Sequence, residues 1–343
     1  MRVIDLRRDT ITLPTETMKK FAFQVVLGDS VYGEDPTQRE LEEMAASLLG
    51  KERALFLPSG TMGNLVALLT HTRRGEEVIV EENAHIVTSE TGGIGAIAGL
   101  NVKPLRGEDG APEVEAIVQA LRPENIHYPR TRLICLENTH YRYGGIVPPL
   151  EKFRAIKMFA EKRGLAVHLD GARLFNAAIY LKREAREICQ YADSVMVSLS
   201  KGLGAPVGSL LAGSRDFIVE AERYRKMLGG GMRQTGWLCA CGIMALSPEN
   251  INRLQEDHYH AFLLAQGLTH FQGIHVDLSR VHTNFVLANL EGSGYTAWAF
   301  AEKLKEKGVL VTPAGKFVVR FITSKEVTRE DILRTIEIIE EII

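Results

Sequence analysis

Two periodicities share the first two thirds of the chain. Short, nearly continuous apolar runs recur as ALFLP (54–58), EVIVE (77–81), RLICLE (132–137), LAVHLD (165–170), SVMVSL (194–199) and GSLLAG (208–213). Between them lie longer stretches whose apolar residues fall every three or four positions. Runs of this length, bounded by turn residues, predict buried strands, and the stretches between predict amphipathic helices. One helix is expected from about Gly60 to His71. Another is expected over 37–49, with Leu41, Met44, Ala45 and Leu48 on one stripe and Gly50 as its stop. Strands alternating with helices imply α/β architecture with a mainly parallel sheet.

The texture changes after about residue 247. A helical stretch (250–270) leads into the alternating segments HTNFVLANL (282–290) and KFVVRFI (316–322). A last helix is expected to begin at Thr328, with Asp331 as capping partner and Ile332, Leu333, Ile336, Ile339 and Ile343 as its apolar stripe. The reading is therefore a large domain over 1–247, N-terminal segment included, and a smaller α+β domain over 248–343. A chain of 343 residues fits that count, at about 100–200 residues per domain.

Composition changes this picture little. Hydrophobic residues are 45% and charged residues 24%, enough to bury a large core, and the net charge is −2 without runs of like charge. Neither nucleic acid nor a membrane surface is an expected partner. No apolar stretch reaches the ~18 residues of a spanning helix, and MRVIDLRRDT has no apolar core of a signal peptide. Cys135, Cys189, Cys239 and Cys241 form neither a CxxC pair nor a disulfide-like pattern, which favours the cytoplasm. No His, Asp or Glu cluster has transition-metal spacing, so no metal is expected.

The candidate chemistry lies at strand ends. Lys201 follows the run SVMVSL, with Ser198, Ser200, Gly202 and Gly204 around it. Either it points to solvent just past the strand, or it is a desolvated neutral amine able to form a Schiff base. Asp170 ends LAVHLD and is followed by Gly171 and Arg173. It is either a turn or capping residue, or an acid at the carboxyl edge of the sheet, where α/β proteins bind ligands. Asp170 and Lys201 are one strand–helix–strand unit apart, which predicts neighbouring strand ends. PSGTMGN (58–64) opens the helix after ALFLP. Its Gly60 and Thr61 make either an ordinary turn or a phosphate cup at a helix N-terminus. The three features together, in this order, favour a phosphate-bearing cofactor.

Histidines and basic residues supply further candidates. His85 follows the second strand and suits stacking on a cofactor ring or acting as a base. His127 and His140 are rival bases. His258 and His260 read as surface residues, two apart on a helix and on different faces. Arg225, Lys226 and Arg233 surround the glycines of RKMLGGGMRQTG (225–236), either as a solvated loop or as cations brought to a phosphate or carboxylate. Arg320 interrupts an apolar run and either faces solvent or aims into a cleft, where a guanidinium suits a carboxylate.

These strings carry a resemblance. DLRRDT (5–10), DSVYGEDPT (29–37), LPSGTMGN (57–64), ENTH (137–140), HLDGARLFNA (168–177), SLSKGLGAPVGS (198–209) and RKMLGGGMRQ (225–234) resemble the low-specificity threonine aldolases of the pyridoxal-phosphate fold-type I superfamily, nearly end to end. The resemblance implies a PLP-dependent transferase-like fold with a mainly parallel seven-stranded sheet. It implies pyridoxal phosphate on Lys201, Asp170 at the pyridine nitrogen, His85 on the ring, and Gly60 and Thr61 at the phosphate. It implies Arg233 reaching a neighbouring subunit's phosphate in a homotetramer built from dimers. Arg173 and Arg320 would grip the carboxylate of a β-hydroxy-α-amino acid, with Lys226 nearby and Tyr32 supplied by a neighbouring subunit. His85 and His127 compete as base.

The implied reaction is cleavage of threonine or allo-threonine to glycine and acetaldehyde. Two positions depart from the pattern. Arg8 stands where the family has a serine that touches the substrate carboxylate, and Ser89 where some relatives have an aromatic residue. The alternatives are another pyridoxal-phosphate reaction (β-elimination, racemisation or transamination) or, because of Arg8, a cofactor-binding protein with little turnover.

Overall fold

In the computed structural model, which describes residues 2–343, the apolar runs pair into a single sheet. A short strand, β1 (Ile4–Asp5), comes first in the chain but lies outside that sheet. The sheet consists of β2 (Arg53–Leu57), β3 (Glu77–Glu81), β4 (Asn101–Leu105), β5 (Thr131–Glu137), β6 (Ala166–Gly171), β7 (Ser194–Ser198) and β8 (Ser209–Gly213). Their order is β2-β8-β7-β6-β5-β3-β4, with only β8 antiparallel to its neighbours. β2, β3, β7 and β8 are buried along nearly their whole length. That is what helices on both faces of a parallel sheet require, and it explains runs without polar alternation. The molecule is thus α/β, with the mainly parallel seven-stranded sheet of the fold-type I class.

Six of the seven strands coincide with the apolar runs. The exception is β4, whose NVKPL sequence is half-exposed. It pairs only with β3, at the sheet edge. An edge strand needs neither a continuous apolar run nor a donor at every residue, so Lys103 and Pro104 are tolerated there.

Helix boundaries follow their caps. The helix Pro36–Leu49 starts at Asp35, whose carboxylate accepts the Gln38 N–H at 2.9 Å, and stops at Gly50 with φ 62°. The helix Gly60–His71 starts at Ser59, whose hydroxyl accepts from the Met62 N–H. Gly63 lets this helix lie close on β7, because a Cβ there would come within 2.7 Å of Met196. The last helix, Arg329–Ile342, opens with the expected capping box between Thr328 and Asp331.

A second core lies beyond residue 247. β9 (Phe285–Asn289), β11 (Thr312–Pro313) and β12 (Val318–Ile322) form an antiparallel sheet. It packs against the helices Leu254–Leu268 and Arg329–Ile342 around Phe300, Phe321 and Ile339. β10 (Val309–Leu310) pairs with β1, and Ile4 and Leu6 belong to this second core. We propose a domain boundary near residue 247, with residues 4–6 packed on the C-terminal side rather than on the large sheet.

Two histidines differ from expectation. His260 is 3% exposed and lies inside the second domain. His258 is half-buried and meets the Asn176 amide at 3.1 Å. Their helix is covered on two sides, by the helix Arg329–Ile342 and by the helix Leu174–Leu181, so positions on different faces are both sheltered.

Candidate active site

The parallel strands end along one edge, and the edge gathers the chemistry. Glu137 pairs in register with Asp170, and Asp170 with Met196, so the ends of β5, β6 and β7 are level. Lys201 leaves β7 in a tight turn in which the Gly204 N–H donates to the Lys201 carbonyl at 2.9 Å. Gly204 has φ +77°, a conformation that favours glycine. The same carbonyl accepts the Thr12 hydroxyl at 2.7 Å, and the Arg253 guanidinium donates to the Gly202 carbonyl at 2.7 Å. The lysine turn is therefore held from both sides of the proposed boundary. Burial, and then the charge of Arg173, push its amine down to about 8, against the opposing pull of Asp9, Asp170 and Glu137. A desolvated, readily neutral amine is the state that attacks a carbonyl.

Asp170 is 3% exposed. One oxygen accepts the Ala172 N–H at 3.0 Å, and the other accepts the Asn64 amide at 2.8 Å. Asn64 donates its second hydrogen to Glu90 at 2.7 Å, and Glu90 meets His85 Nδ1 at 3.0 Å. Burial opposes a charged His85 imidazole. The Glu90 hydrogen bond and the Asp170 charge outweigh it and raise the histidine above its ordinary value. The His85 backbone N–H is fixed by Glu137 at 2.6 Å. His85, Glu90 and Asp170 are the one grouping among the described residues close enough to share a cation. Asn64 and His85 already take those carboxylates as hydrogen-bond acceptors.

The carboxylate-binding candidates form a second cluster. Arg173 donates through Nε and Nη2 to the two oxygens of Asp9, both at 2.7 Å, and stacks over Phe285 at 4.8 Å. Only one edge of the guanidinium is used, so Nη1 keeps its donors. Arg320, on β12, lies 4.4 Å over the Tyr141 ring, and its buried Nε has no partner. It forms no ion pair among the described residues, unlike Arg173. A half-buried guanidinium with a buried, partnerless Nε and no ion pair suits an anion from outside the chain.

Asp9 is fully buried, and Arg173 nearly so. Asp9→Ala should therefore lower stability by about 3–5 kcal/mol, because it strands a buried guanidinium. Thermal unfolding of the two proteins checks this.

Not every expected residue joins the site. Gly60 and Thr61 lie at the helix start, and neither N–H has an acceptor among the described residues. Arg233 is exposed and paired with Asp29 at 3.0 Å. Tyr32 is 75% exposed, and His127 and Arg8 are also exposed. Lys226 packs its stem beside Gly231. His140 is fully buried against Glu81 at 2.9 Å, away from solvent. Asp9, Asn64, Glu90 and Tyr141 were not legible as site residues. Asp9 sits inside a quoted motif, but nothing local says that it faces Arg173.

The donor set fits pyridoxal phosphate. It offers a desolvated lysine, a buried carboxylate at a neighbouring strand end, free N–H groups at a helix start and an imidazole between them. The buried Asn138 amide and Thr139 hydroxyl also lack protein partners here. A fold-type I scaffold with this edge defines a pyridoxal-phosphate enzyme by class.

Comparison with known proteins narrows the class. The Beta-eliminating lyase family model matches residues 5–291. The chain is 45% identical to low-specificity L-threonine aldolase 1 of Arabidopsis thaliana, over 99% of this chain and 96% of that protein. It is 44% identical to the low specificity L-threonine aldolase of Escherichia coli K12, over 96% of each. The chain belongs to the low-specificity L-threonine aldolase family. Solved structures share the fold at 22% identity. The threonine aldolase of Leishmania major superposes with a TM-score of 0.83 over 99% of both chains. A putative L-allo-threonine aldolase of Listeria monocytogenes superposes with 0.80, over 96% of this chain and 94% of that one.

Proposed function

We propose that this chain cleaves L-threonine, L-allo-threonine and related β-hydroxy-α-amino acids to glycine and an aldehyde, using pyridoxal phosphate. One observation carries the reading: a lysine of depressed pKa and a buried aspartate lie at one sheet edge, with an arginine that has no ion-pair partner close to Arg173, in a chain 44–45% identical to named threonine aldolases. Lys201 would hold the cofactor through its amine, Asp170 would face the ring nitrogen, His85 would cover the ring, and Gly60 and Thr61 would receive the phosphate. When bound, the cofactor supplies an electron-poor ring that accepts the electron pair of the breaking Cα–Cβ bond.

The residues of the chain do the rest. Arg320 and the free edge of Arg173 bind the substrate carboxylate and fix which bond at Cα is set for cleavage. Glu90 holds the Nδ1 side of His85, which leaves Nε2 to take the β-hydroxyl proton as the aldehyde forms. Of the two candidate bases, His85 is the one beside Asp170 and Glu90 within this chain, so the role is assigned to it. The proton that His85 takes from the β-hydroxyl is balanced by the one that Cα must gain in place of the broken bond before glycine can leave.

Arg8 is exposed and precedes Asp9, and its charge would add to a carboxylate-attracting face. We further propose a cytoplasmic homotetramer. Phe23, Val26, Tyr32, Met227 and Trp237 are exposed apolar or aromatic residues, and Arg233, Lys226 and His127 would serve a neighbouring subunit's site. Four buried free cysteines suit a reducing compartment. No helix among the described residues is long and apolar enough to cross a membrane.

The direct test is incubation of the reconstituted protein with each threonine diastereomer. Glycine and acetaldehyde in equal amounts are expected, and their absence with cofactor bound overturns the assignment. Arg320→Leu should raise KM for threonine roughly 10–100-fold, as loss of a charge-assisted bidentate pair predicts, with a smaller change in kcat. Initial rates over a range of substrate concentrations measure it. Cofactor attachment to the cofactor-free protein should accelerate as pH rises and level off above about 8, because the Lys201 amine loses its proton there rather than at the ordinary 10.5. Stopped-flow absorbance across pH follows that limb.

A further inference from the structure

Behind Asp170 runs a line of buried polar groups that no step above uses. His168 and Asp170 are two apart on β6 and so share a face. Asn64 and His71 are seven apart on the helix Gly60–His71, two turns along the side that covers that face. Asn64, His168 and Ser194 are all fully buried. Asn64 Oδ1 meets His168 Nε2 at 3.1 Å, His168 Nδ1 meets Ser194 Oγ at 2.8 Å, and Ser194 Oγ meets His71 Nε2 at 2.7 Å.

The direction of every bond in this line follows from its two ends. The Asn64 amide spends one hydrogen on Glu90 and the other on Asp170, so its oxygen accepts. His168 must then donate from Nε2. Burial holds His168 down to about 4, and burial with the neighbouring His168 holds His71 down to about 3, so each ring carries a single N–H at neutral pH. His168 Nδ1 therefore accepts the Ser194 hydroxyl hydrogen, and Ser194 accepts from His71. Neither histidine has a second proton to pass on. The line transmits orientation, not protons.

We infer that His71, Ser194 and His168 form a positioning relay that locks the Asn64 amide with its N–H groups toward Asp170 and Glu90, and thereby holds Asp170 as the anion facing the cofactor nitrogen. The inference rests on the cofactor reading above. Reversed, the Asn64 amide would turn its oxygen on Asp170. Two lone pairs would then oppose each other in a buried site, and the carboxylate that would face the ring nitrogen would lose a donor and support a proton on that nitrogen less well. The charged and titratable groups facing Asp170 are Glu90 and His85 from the segment after β3, Cys135 and Glu137 from β5, His168 from β6 itself, and Lys201 from the turn after β7. The Asn64 amide is the side chain that donates a hydrogen bond to Asp170, and the relay fixes it.

The experiment reconstitutes the protein with pyridoxal phosphate labelled with 15N in the ring and reads the nitrogen signal by NMR. Wild type is expected in the protonated range. His168→Leu, which removes the donor to Asn64, should move the signal toward the unprotonated range. It should also lower kcat about 5–30-fold, which corresponds to about 1–2 kcal/mol, with KM within about threefold. His168→Gln can donate to Asn64 and accept from Ser194, and should restore both readings to within about threefold of wild type. Ser194→Ala, which barely alters packing, should shift the signal in the same direction by less. If His168→Leu does not fold, Ser194→Ala decides: a shifted signal supports the relay, and an unchanged one overturns it. A wild-type protein that gives no bound-cofactor signal overturns the cofactor reading and the relay with it. A wild-type signal left unchanged in the variants overturns the relay alone.

Discussion

Lys201→Ala should lose aldol cleavage by at least about 10³-fold, the order expected when a covalent anchor and its exchange with the substrate amine are removed together. No neighbour can take its place. Arg173 and Arg320 are permanently charged, and the lysines 182 and 226 lie on other segments. The control is stability. Keeping this amine buried lowers its pKa from 10.5 to about 8, which corresponds to about 3 kcal/mol against folding at pH values below 8. The sign is that of a base depressed by folding. The penalty is complete below the folded value and disappears as pH rises through the unfolded value. Without cofactor at pH 7, the alanine variant should therefore unfold at a temperature equal to or above that of wild type. Inactivity with undiminished stability assigns the loss to chemistry. Activity within tenfold of wild type would falsify the assignment.

Asp170→Asn should cost roughly 10³-fold in kcat with modest change in KM. Two unit charges about 4 Å apart interact by about 4 kcal/mol at an effective dielectric near 20, close to three decades in the protonation of a ring nitrogen. The asparagine keeps the volume, and its amide oxygen can still accept one of the two N–H groups, of Ala172 and Asn64, that the carboxylate accepts. The charge is lost, and with it one of these two hydrogen bonds. Steady-state kinetics and the 15N signal of the ring should change together. A variant with normal kcat would show that the ring needs no anion, and would return Asp170 to a capping residue.

How much of this was legible depended on how local each signal is. β2, β3, β5, β6, β7 and β8 are largely buried on both faces, so their sequences are nearly continuous apolar runs and the strand pattern reads directly. β4 lies at the edge, half-exposed with a lysine and a proline, and carried no such pattern. His260 was misplaced for a related reason. Its helix packs on two sides at once, and a hydropathy stripe reports one buried face.

The site divides in the same way. Lys201, Asp170 and the Gly60–Thr61 start follow strands directly, and the spacing of Asp170 and Lys201 already placed them at adjacent strand ends. The motifs also named the family. The partners of these residues come from far along the chain. Asp9 meets Arg173 across 164 residues, Asn64 meets Asp170 across 106, and Asn284 meets Asp9 across 275. No periodicity records such contacts, because hydrogen bonding is satisfied in space and not in sequence order. The sequence by itself determined the strands, the cofactor-bearing edge and the class of chemistry, since each depends on burial and on neighbours a few residues away. Only the tertiary structure decided which arginine is already neutralised and which is left for an anion, which histidine is held by a carboxylate, and which way a buried amide points. Those properties belong to pairs of side chains brought together by packing, and they exist only once the chain has folded.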